Sequence, residues 1–371
     1  MLREGGSAPL VLLAAGGTGG HLFPAEALAE ALARRGLAVE LATDERAQRY
    51  GRRFPARAIH VIASETLRGR DPVSLARTGV IMSLALLRAW RLMRRIRPAV
   101  VVGFGGYPTL APVLAACWRR IPTIIHEQNA VMGRANTLLA PRVSAIALSF
   151  TGVLAGAPAL AAKARHTGNP VRPAVIAAAA TPYPDLAAAG LLRLLVFGGS
   201  QGARIMSQIV PAAIGQLDQS LRVRVLIAQQ TRDEDLVEVR DAYARLGISA
   251  EVAPFFADLP ARIAAAHLVV ARAGASTVAE LAAIGRPAIL VPLPHALDQD
   301  QQANAAVLEH VGGALRLRQD DFTPARLAAE IARLAAAPAA LAAMATAARS
   351  AGAIDAAERL ADLVSDTIAA A

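Results

Sequence analysis

Apolar residues fall in short continuous runs, each closed by glycine or a polar turn. Residues 10–15, 39–43, 99–102 and 122–126 are such runs in the first half. Residues 192–197, 223–228, 267–271 and 288–292 repeat the pattern in the second. A run without polar alternation fits a strand covered on both faces, as in a parallel sheet. Pro24 suits the first turn of a following helix, and Gly36 after Arg34 and Arg35 suits its end. Residues 301–310 and 354–368 also read as helices, the latter amphipathic. Strand and helix alternate twice over, which predicts an α/β protein with two doubly wound parallel sheets. Residues 168–173, Gly-Asn-Pro-Val-Arg-Pro, are the natural hinge. The expected domains are 1–168 and 169–350. A C-terminal helix in 351–371 is expected to pack back toward the first.

The chain has 371 residues, enough for two domains. It is 54% hydrophobic and 18% charged, which supports large cores and excludes global disorder. The single cysteine, Cys117, excludes an internal disulfide framework and a Cys-based zinc site. No apolar run approaches the ~20 residues that span a bilayer. The run at 10–15 is too short for a signal-peptide core. A soluble or peripheral intracellular protein is therefore expected.

Charge is unevenly placed. Residues 1–170 carry 22 basic and 9 acidic side chains, a net +13, while 171–371 carry a net −3. No acid lies between Asp71 and Glu127, where Arg77, Arg88, Arg91, Arg94, Arg95, Arg97, Arg119 and Arg120 all occur. The first half is thus expected to attract an anion. Within 81–93, Ile81, Met82, Leu84, Leu86, Leu87, Trp90, Leu92 and Met93 exceed one buried stripe. An apolar strip rimmed with arginine suits an anionic membrane surface. A core helix with a solvated arginine face is the plainer alternative. Nucleic acid is not expected, since only 4% of residues are aromatic and no reader module is present.

The chemistry sits after the runs. Gly16-Gly17-Thr18-Gly19-Gly20-His21 lacks the third glycine of the dinucleotide fingerprint and the lysine of a P-loop. It remains a bare glycine turn at a helix start, able to approach a phosphate or sugar closely. Gly105-Gly106-Tyr107 is a second such loop. A free imidazole can take up a proton near neutral pH, so His21 is a candidate general base. Glu127 is the alternative base, or it orients the acceptor or pairs with an arginine. Ala275, Ser276 and Thr277 open a helix whose N–H groups favour a diphosphate. Glu280 can bind ribose hydroxyls or close a capping box with Thr277. Amides at Gln301 and Gln302 suit sugar hydroxyls. No cluster has metal-ligand spacing, so no bound metal or cofactor is expected. Gly198-Gly199-Ser200-Gln201-Gly202 also fits a hydrolase nucleophile elbow, with Asp258 or Asp298 and His295 or His310 as partners.

Six motifs occur in order: Gly16–His21, 103–107 (Gly-Phe-Gly-Gly-Tyr), 126–129 (His-Glu-Gln-Asn), 168–172 (Gly-Asn-Pro-Val-Arg), 198–203 (Gly-Gly-Ser-Gln-Gly-Ala) and 272–280. Together they resemble the MurG family, N-acetylglucosaminyltransferases that convert lipid I to lipid II in peptidoglycan synthesis. The resemblance implies the GT-B glycosyltransferase fold, two Rossmann-like domains facing each other across a cleft, with closure about 168–173. It places Thr18, Gly19, Gly20 and Asn129 at the donor sugar, Arg172 and Ser200 near its diphosphate, and Gln201 among the donor-binding residues. It places Phe256 at the uracil, Ala275, Ser276 and Thr277 at the diphosphate, Glu280 at the ribose, and Gln301 or Gln302 at the sugar. Gly16, Gly17, Gly105, Gly106, Tyr107 and His21 would face the acceptor. The implied partners are UDP-N-acetylglucosamine, lipid I and the anionic cytoplasmic face of the bacterial inner membrane. Proteins of wall synthesis and division are further candidate partners. Two departures stand out: Ala273 replaces the family's usual serine, and residues 297–304 are offset. A related transferase using another lipid and a UDP-sugar 2-epimerase remain as alternatives.

Overall fold

The first apolar runs become the central strands of a parallel sheet. The computed structural model describes residues 8–16, 19–45, 54–62, 72–187, 190–199, 202–294 and 299–371. Gly17, Thr18, Ser200 and Gln201 lie outside the described residues, as do His295 and Asp298. The strands are β1 (Leu10–Ala14), β2 (Ala38–Thr43), β3 (Ile59–Val61), β4 (Val100–Gly103), β5 (Thr123–Glu127), β6 (Ala145–Leu148) and β7 (Ala164–His166). All pair in parallel, in the order β3-β2-β1-β4-β5-β6-β7. Both faces of the central strands are covered. Val11, Leu13 and Val102 enter one buried cluster with Leu28 and Leu360. Leu12 and Val101 enter another with Met93 and Val113. Continuous apolar runs follow from that double burial.

The second sheet repeats the design. Its strands are β8 (Leu192–Phe197), β9 (Val225–Gln230), β10 (Ala250–Ala253), β11 (Leu268–Ala271), β12 (Ala288–Leu290) and β13 (Ala314–Arg316). The order is β10-β9-β8-β11-β12-β13, again all parallel. In both sheets the order reverses next to the first strand, between β1 and β4 and between β8 and β11. Ligands of open α/β sheets bind in the crevice beyond the carboxyl ends at such a switch point. The glycine loops after β1 and β4 flank the first, and the loops after β8 and β11 flank the second.

The chain divides into one unit of Met1–Arg172 with Ile354–Ala371, and another of Pro173–Ala353. The break falls after Arg172, not Gly168, so Arg172 belongs with the first unit rather than the second. The last helix, Ala356–Ala369, packs on the helix Gly19–Arg34. Arg34 and Arg35 reach Glu358 at 2.6 and 2.7 Å, and Arg35 reaches Asp362 at 2.7 Å.

Three local expectations change. Pro24 lies inside the first helix, which starts at Gly19. Proline lacks the N–H that would bond back to Gly20, so only one helical bond is lost this near the end. The strand expected at 223–228 begins at Val225 and ends in the buried amides Gln229 and Gln230. Their polarity hid them from an apolar pattern. The short strands β3, β6, β7, β10 and β13 also went unread in the sequence.

Candidate active site

β1 and β4 carry two loops to the same switch point. Gly105 and Gly106 have φ of 77° and 75°, a left-handed conformation that strains any other residue. A Cβ on Gly106 would lie 3.3 Å from His21 Nε2, and one on Gly105 would lie 3.6 Å from His21 Cε1. The two bare glycines therefore form a wall against the imidazole. His21 sits in the first turn of its helix, half-buried, after Gly19 and Gly20. Gly16 lies beside Pro108 and Thr43, and Tyr107 starts the next helix, Tyr107–Trp118.

The end of β5 supplies a polar network. His21 Nδ1 lies 3.3 Å from Gln128 Oε1. Gln128 Nε2 lies 3.0 Å from His126 Nδ1 and donates to the His126 carbonyl at 3.2 Å. His126 Nε2 donates to the Gly168 carbonyl at 3.0 Å. His126 is fully buried against Phe104, and burial pushes its imidazole down to about 4. The sequence marked His126 and Gln128 only as members of the 126–129 motif, with no role of their own, and Asn136 not at all.

Glu127 is 1% exposed. Its Oε1 accepts from the Asn129 backbone N–H at 3.0 Å and the Asn129 side chain at 3.3 Å. Its Oε2 accepts from the Gly133 N–H at 2.9 Å and Asn136 Nδ2 at 2.7 Å. Burial raises its carboxyl above the ordinary value, and these donors pull against that rise. Four N–H groups occupy the carboxylate's acceptor sites. Glu127 thus ties down the 127–133 loop, and Asn129 with it. Its oxygens have no lone pair left over for a substrate hydroxyl.

Arg172 stacks its guanidinium 4.2 Å above the centre of the Phe23 ring. Phe23 in turn abuts Gly19, where a Cβ would lie 2.9 Å from the ring. The 168–172 segment is thereby fixed to the glycine-led helix.

In the second unit, Gly198 admits no side chain, because a Cβ would lie 2.3 Å from the Ala203 nitrogen. Its N–H donates to Gln230. After β11, Gly274 caps the helix Ala275–Ile284. Ala275 and Ser276 are half-buried there, and Thr277 and Glu280 are buried. Ser276 Oγ is shielded from solvent without a hydrogen-bond partner among the described residues.

Gln301 spends its side-chain oxygen on the N–H groups of Ala273 and Leu293, at 3.3 and 3.1 Å. Asn304 donates to the Ala273 carbonyl at 3.2 Å. Both polar groups of Ala273 are thus held by one helix, Asp300–His310. Arg272 holds the Val291 and Pro292 carbonyls and Gln319. Arg272 and Asn304 are loop-holding residues that the sequence pattern missed. Gln302 instead lines a cavity of about 1050 Å³ with Gln299, Arg316 and Gln319.

Phe256 is buried, with the Arg262 guanidinium 4.2 Å above its ring, while the neighbouring Phe255 is exposed. Asp258, weighed as a hydrolase acid, is an exposed partner of Arg262 at 2.7 Å. Among the described residues no three His, Cys, Asp or Glu side chains gather as a metal site.

Two domain descriptions match this arrangement. The glycosyltransferase family 28 N-terminal domain matches residues 11–148, and the family 28 C-terminal domain matches residues 193–360. The chain belongs to glycosyltransferase family 28. Within that family, it is 63% identical over 357 residues to a protein from Rhodopseudomonas palustris (strain HaA2). The match covers 96% of this chain and 98% of the relative. That relative is named UDP-N-acetylglucosamine--N-acetylmuramyl-(pentapeptide) pyrophosphoryl-undecaprenol N-acetylglucosamine transferase. The crystal structure of Acinetobacter baumannii MurG superposes with a TM-score of 0.78 at 29% identity, covering 96% of this chain and 99% of that one. The GT-B fold and MurG kinship expected from the six motifs are therefore established. A UDP-GlcNAc 2-epimerase from Neisseria meningitidis superposes at 0.68 over 98% of this chain and 100% of its own. At 11% identity it shares the fold alone.

Proposed function

We propose that this family 28 transferase moves N-acetylglucosamine from UDP-N-acetylglucosamine to lipid I, the pentapeptide-bearing muramoyl pyrophosphoryl-undecaprenol, giving lipid II. The carrying observation is His21, set against two left-handed glycines at the first switch point. It occurs in a chain 63% identical to a transferase named for that reaction. The donor's sugar is α-linked and the product is β-1,4-linked, which requires one inverting displacement. His21 takes the proton of the acceptor's C4 hydroxyl. That oxygen bonds to C1 of the donor sugar, and the C1–O bond to UDP breaks with its electron pair leaving on UDP. Saturation of Glu127 favours His21 over it as the base.

On the donor side, the N–H groups opening the helix Ala275–Ile284 and the Ser276 hydroxyl take the diphosphate. Thr277 shares in that cradle, and Glu280 takes the ribose. Gln302 is the better placed of the two amides to meet the sugar, because the oxygen of Gln301 is committed to backbone.

The lipid acceptor calls for a membrane-facing surface on the cytoplasmic side of the inner membrane. The helix Pro72–Ile96 supports this reading, since Val80, Leu84 and Leu87 are 59%, 51% and 43% exposed. They share one face at helical spacing, near exposed Arg77, Arg88, Arg91 and Arg94. Among the described residues no single helix is long and apolar enough to cross a membrane.

The test is transfer of labelled N-acetylglucosamine from UDP to purified lipid I in detergent, with EDTA present. Wild-type protein should yield labelled lipid II, and His21→Ala should lose about 100-fold or more of kcat. Conversion of UDP-N-acetylglucosamine to its 2-epimer without lipid II would overturn the reading.

A further inference from the structure

We propose that Gln128 and His126 are positioning residues that fix the tautomer of His21, holding its proton on Nδ1 and presenting Nε2 as the nitrogen that receives the acceptor's proton. This rests on the transferase reading of His21 and deepens it. The argument starts from an atom whose role is not adjustable. The Gly168 carbonyl can only accept, so His126 Nε2, 3.0 Å away, carries a hydrogen. Fully buried, where desolvation pushes its imidazole down to about 4, His126 holds one proton, so its Nδ1 is an acceptor. The group facing Nδ1 at 3.0 Å is therefore the amide NH2 of Gln128.

A second acceptor confirms that orientation, because the same NH2 donates to the His126 carbonyl at 3.2 Å. Asn136 Nδ2 donates to this carbonyl too, at 3.2 Å, and to Glu127. The backbone that sets the amide is thus itself anchored. With its NH2 end fixed, Gln128 turns its oxygen to His21 Nδ1 at 3.3 Å. A carbonyl oxygen requires a donor there, so His21 Nδ1 carries the hydrogen, and in the neutral ring that acts as the base Nε2 carries the lone pair. Nε2 is the atom that lies along Gly106, on the side of the glycine wall.

The chain of bonds accounts for the choice of an amide. When Nε2 takes the hydroxyl proton, Nδ1–H stays on Gln128 Oε1, and the imidazolium keeps a hydrogen-bond acceptor. An amide oxygen does this without adding a negative charge beside a buried neutral histidine. It also cannot draw the Nδ1 proton away, so Nε2 remains the only site of exchange with the substrate.

The experiment uses the full-length protein with 15N-labelled histidine. His21 is assigned with a His21→Gln variant, and tautomers are read from the 15N shifts of the two ring nitrogens at neutral pH. The wild type should show His21 protonated on Nδ1 and His126 protonated on Nε2. Gln128→Leu should move the His21 proton toward Nε2 and lower kcat about 10- to 100-fold, with KM for UDP-N-acetylglucosamine within about twofold. Gln128→Glu loses the NH2 that faces His126 Nδ1 and the His126 carbonyl and adds a buried charge, so it should not restore wild-type kcat. A wild-type His21 protonated on Nε2 would overturn the proposal, even if variants fail to fold. So would Gln128→Leu with unchanged kcat. A wild type with the expected tautomer but no lipid II would instead refute the transferase reading and leave the tautomer assignment standing.

Discussion

His126 shows what burial does to a single titratable group. Its imidazole is held near 4 by desolvation, against an ordinary value of 6.5. The folded state therefore disfavours the proton that the unfolded chain accepts. The resulting stability is present above about pH 6.5 and is lost as pH falls through the window from 6.5 to 4. The shift corresponds to about 3 kcal/mol across that window. Urea unfolding at pH 7.5 and pH 4.5 should show the loss, and His126→Asn should remove that share of the pH dependence. A variant with the same slope as wild type would show that other groups dominate. At the same scale, Glu127 was legible as a special residue because it ends a long acid-free stretch. Its role was not, because the four N–H groups that saturate it come from Asn129, Gly133 and Asn136. Only a folded loop brings those donors together.

Helices and strands were readable to the degree that their patterns were local. The continuous runs at β1, β4, β5, β8 and β11 are central strands, and burial on both faces favours that apolar composition. The edge strand β3, Ile-His-Val, leaves both its Ile59 and Val61 exposed, so no such constraint marks it. The helix Pro72–Ile96 had an excess of apolar residues in its sequence. The structure sorts them: Ala85, Ala89, Leu92 and Met93 face the core, while Val80, Leu84 and Leu87 do not. Trp90 lies between Arg94 and Arg119, each within 5.5 Å of its ring, tying this helix to the end of Tyr107–Trp118. The double variant Leu84→Glu/Leu87→Glu should lower partitioning onto anionic vesicles by about tenfold or more. Its melting temperature should stay within about 2 °C of wild type, since neither side chain is in the core. Unchanged sedimentation with vesicles would remove this face from the membrane surface.

At the scale of the whole chain, the last helix belongs to the unit built mostly from the first 172 residues. Leu360, Ala361 and Val364 are buried in that unit's core. Surface ion pairs with Arg34 and Arg35 add little, because exposed pairs contribute at most about 1 kcal/mol. Deleting residues 354–371 should cost the first unit on the order of 5 kcal/mol through lost apolar burial. Both tryptophans, Trp90 and Trp118, lie in that unit. Tryptophan fluorescence should therefore report its unfolding alone. Calorimetry should still find UDP binding in the shortened chain, since Pro173–Ala353 has its own core around Val196, Val210, Ile289 and Ile331. Loss of both together would show that the two units fold as one.

The order of apolar runs and glycine turns was enough to predict two parallel α/β sheets, and the six ordered motifs pointed to the family. Those features depend on interactions between near neighbours: burial of a run, φ above zero at a glycine, the start of a helix. The contact between His21 and Gln128 spans 107 positions. It exists because β4 inserts beside β1 and β5 beside β4. No local pattern encodes that strand order, which follows from packing the whole sheet. The same holds for the last helix on the first, and for Ala273 held between Gln301 and Asn304. The proposed tautomer of His21 depends on the same long-range assembly, because the groups that set it meet only across the folded sheet.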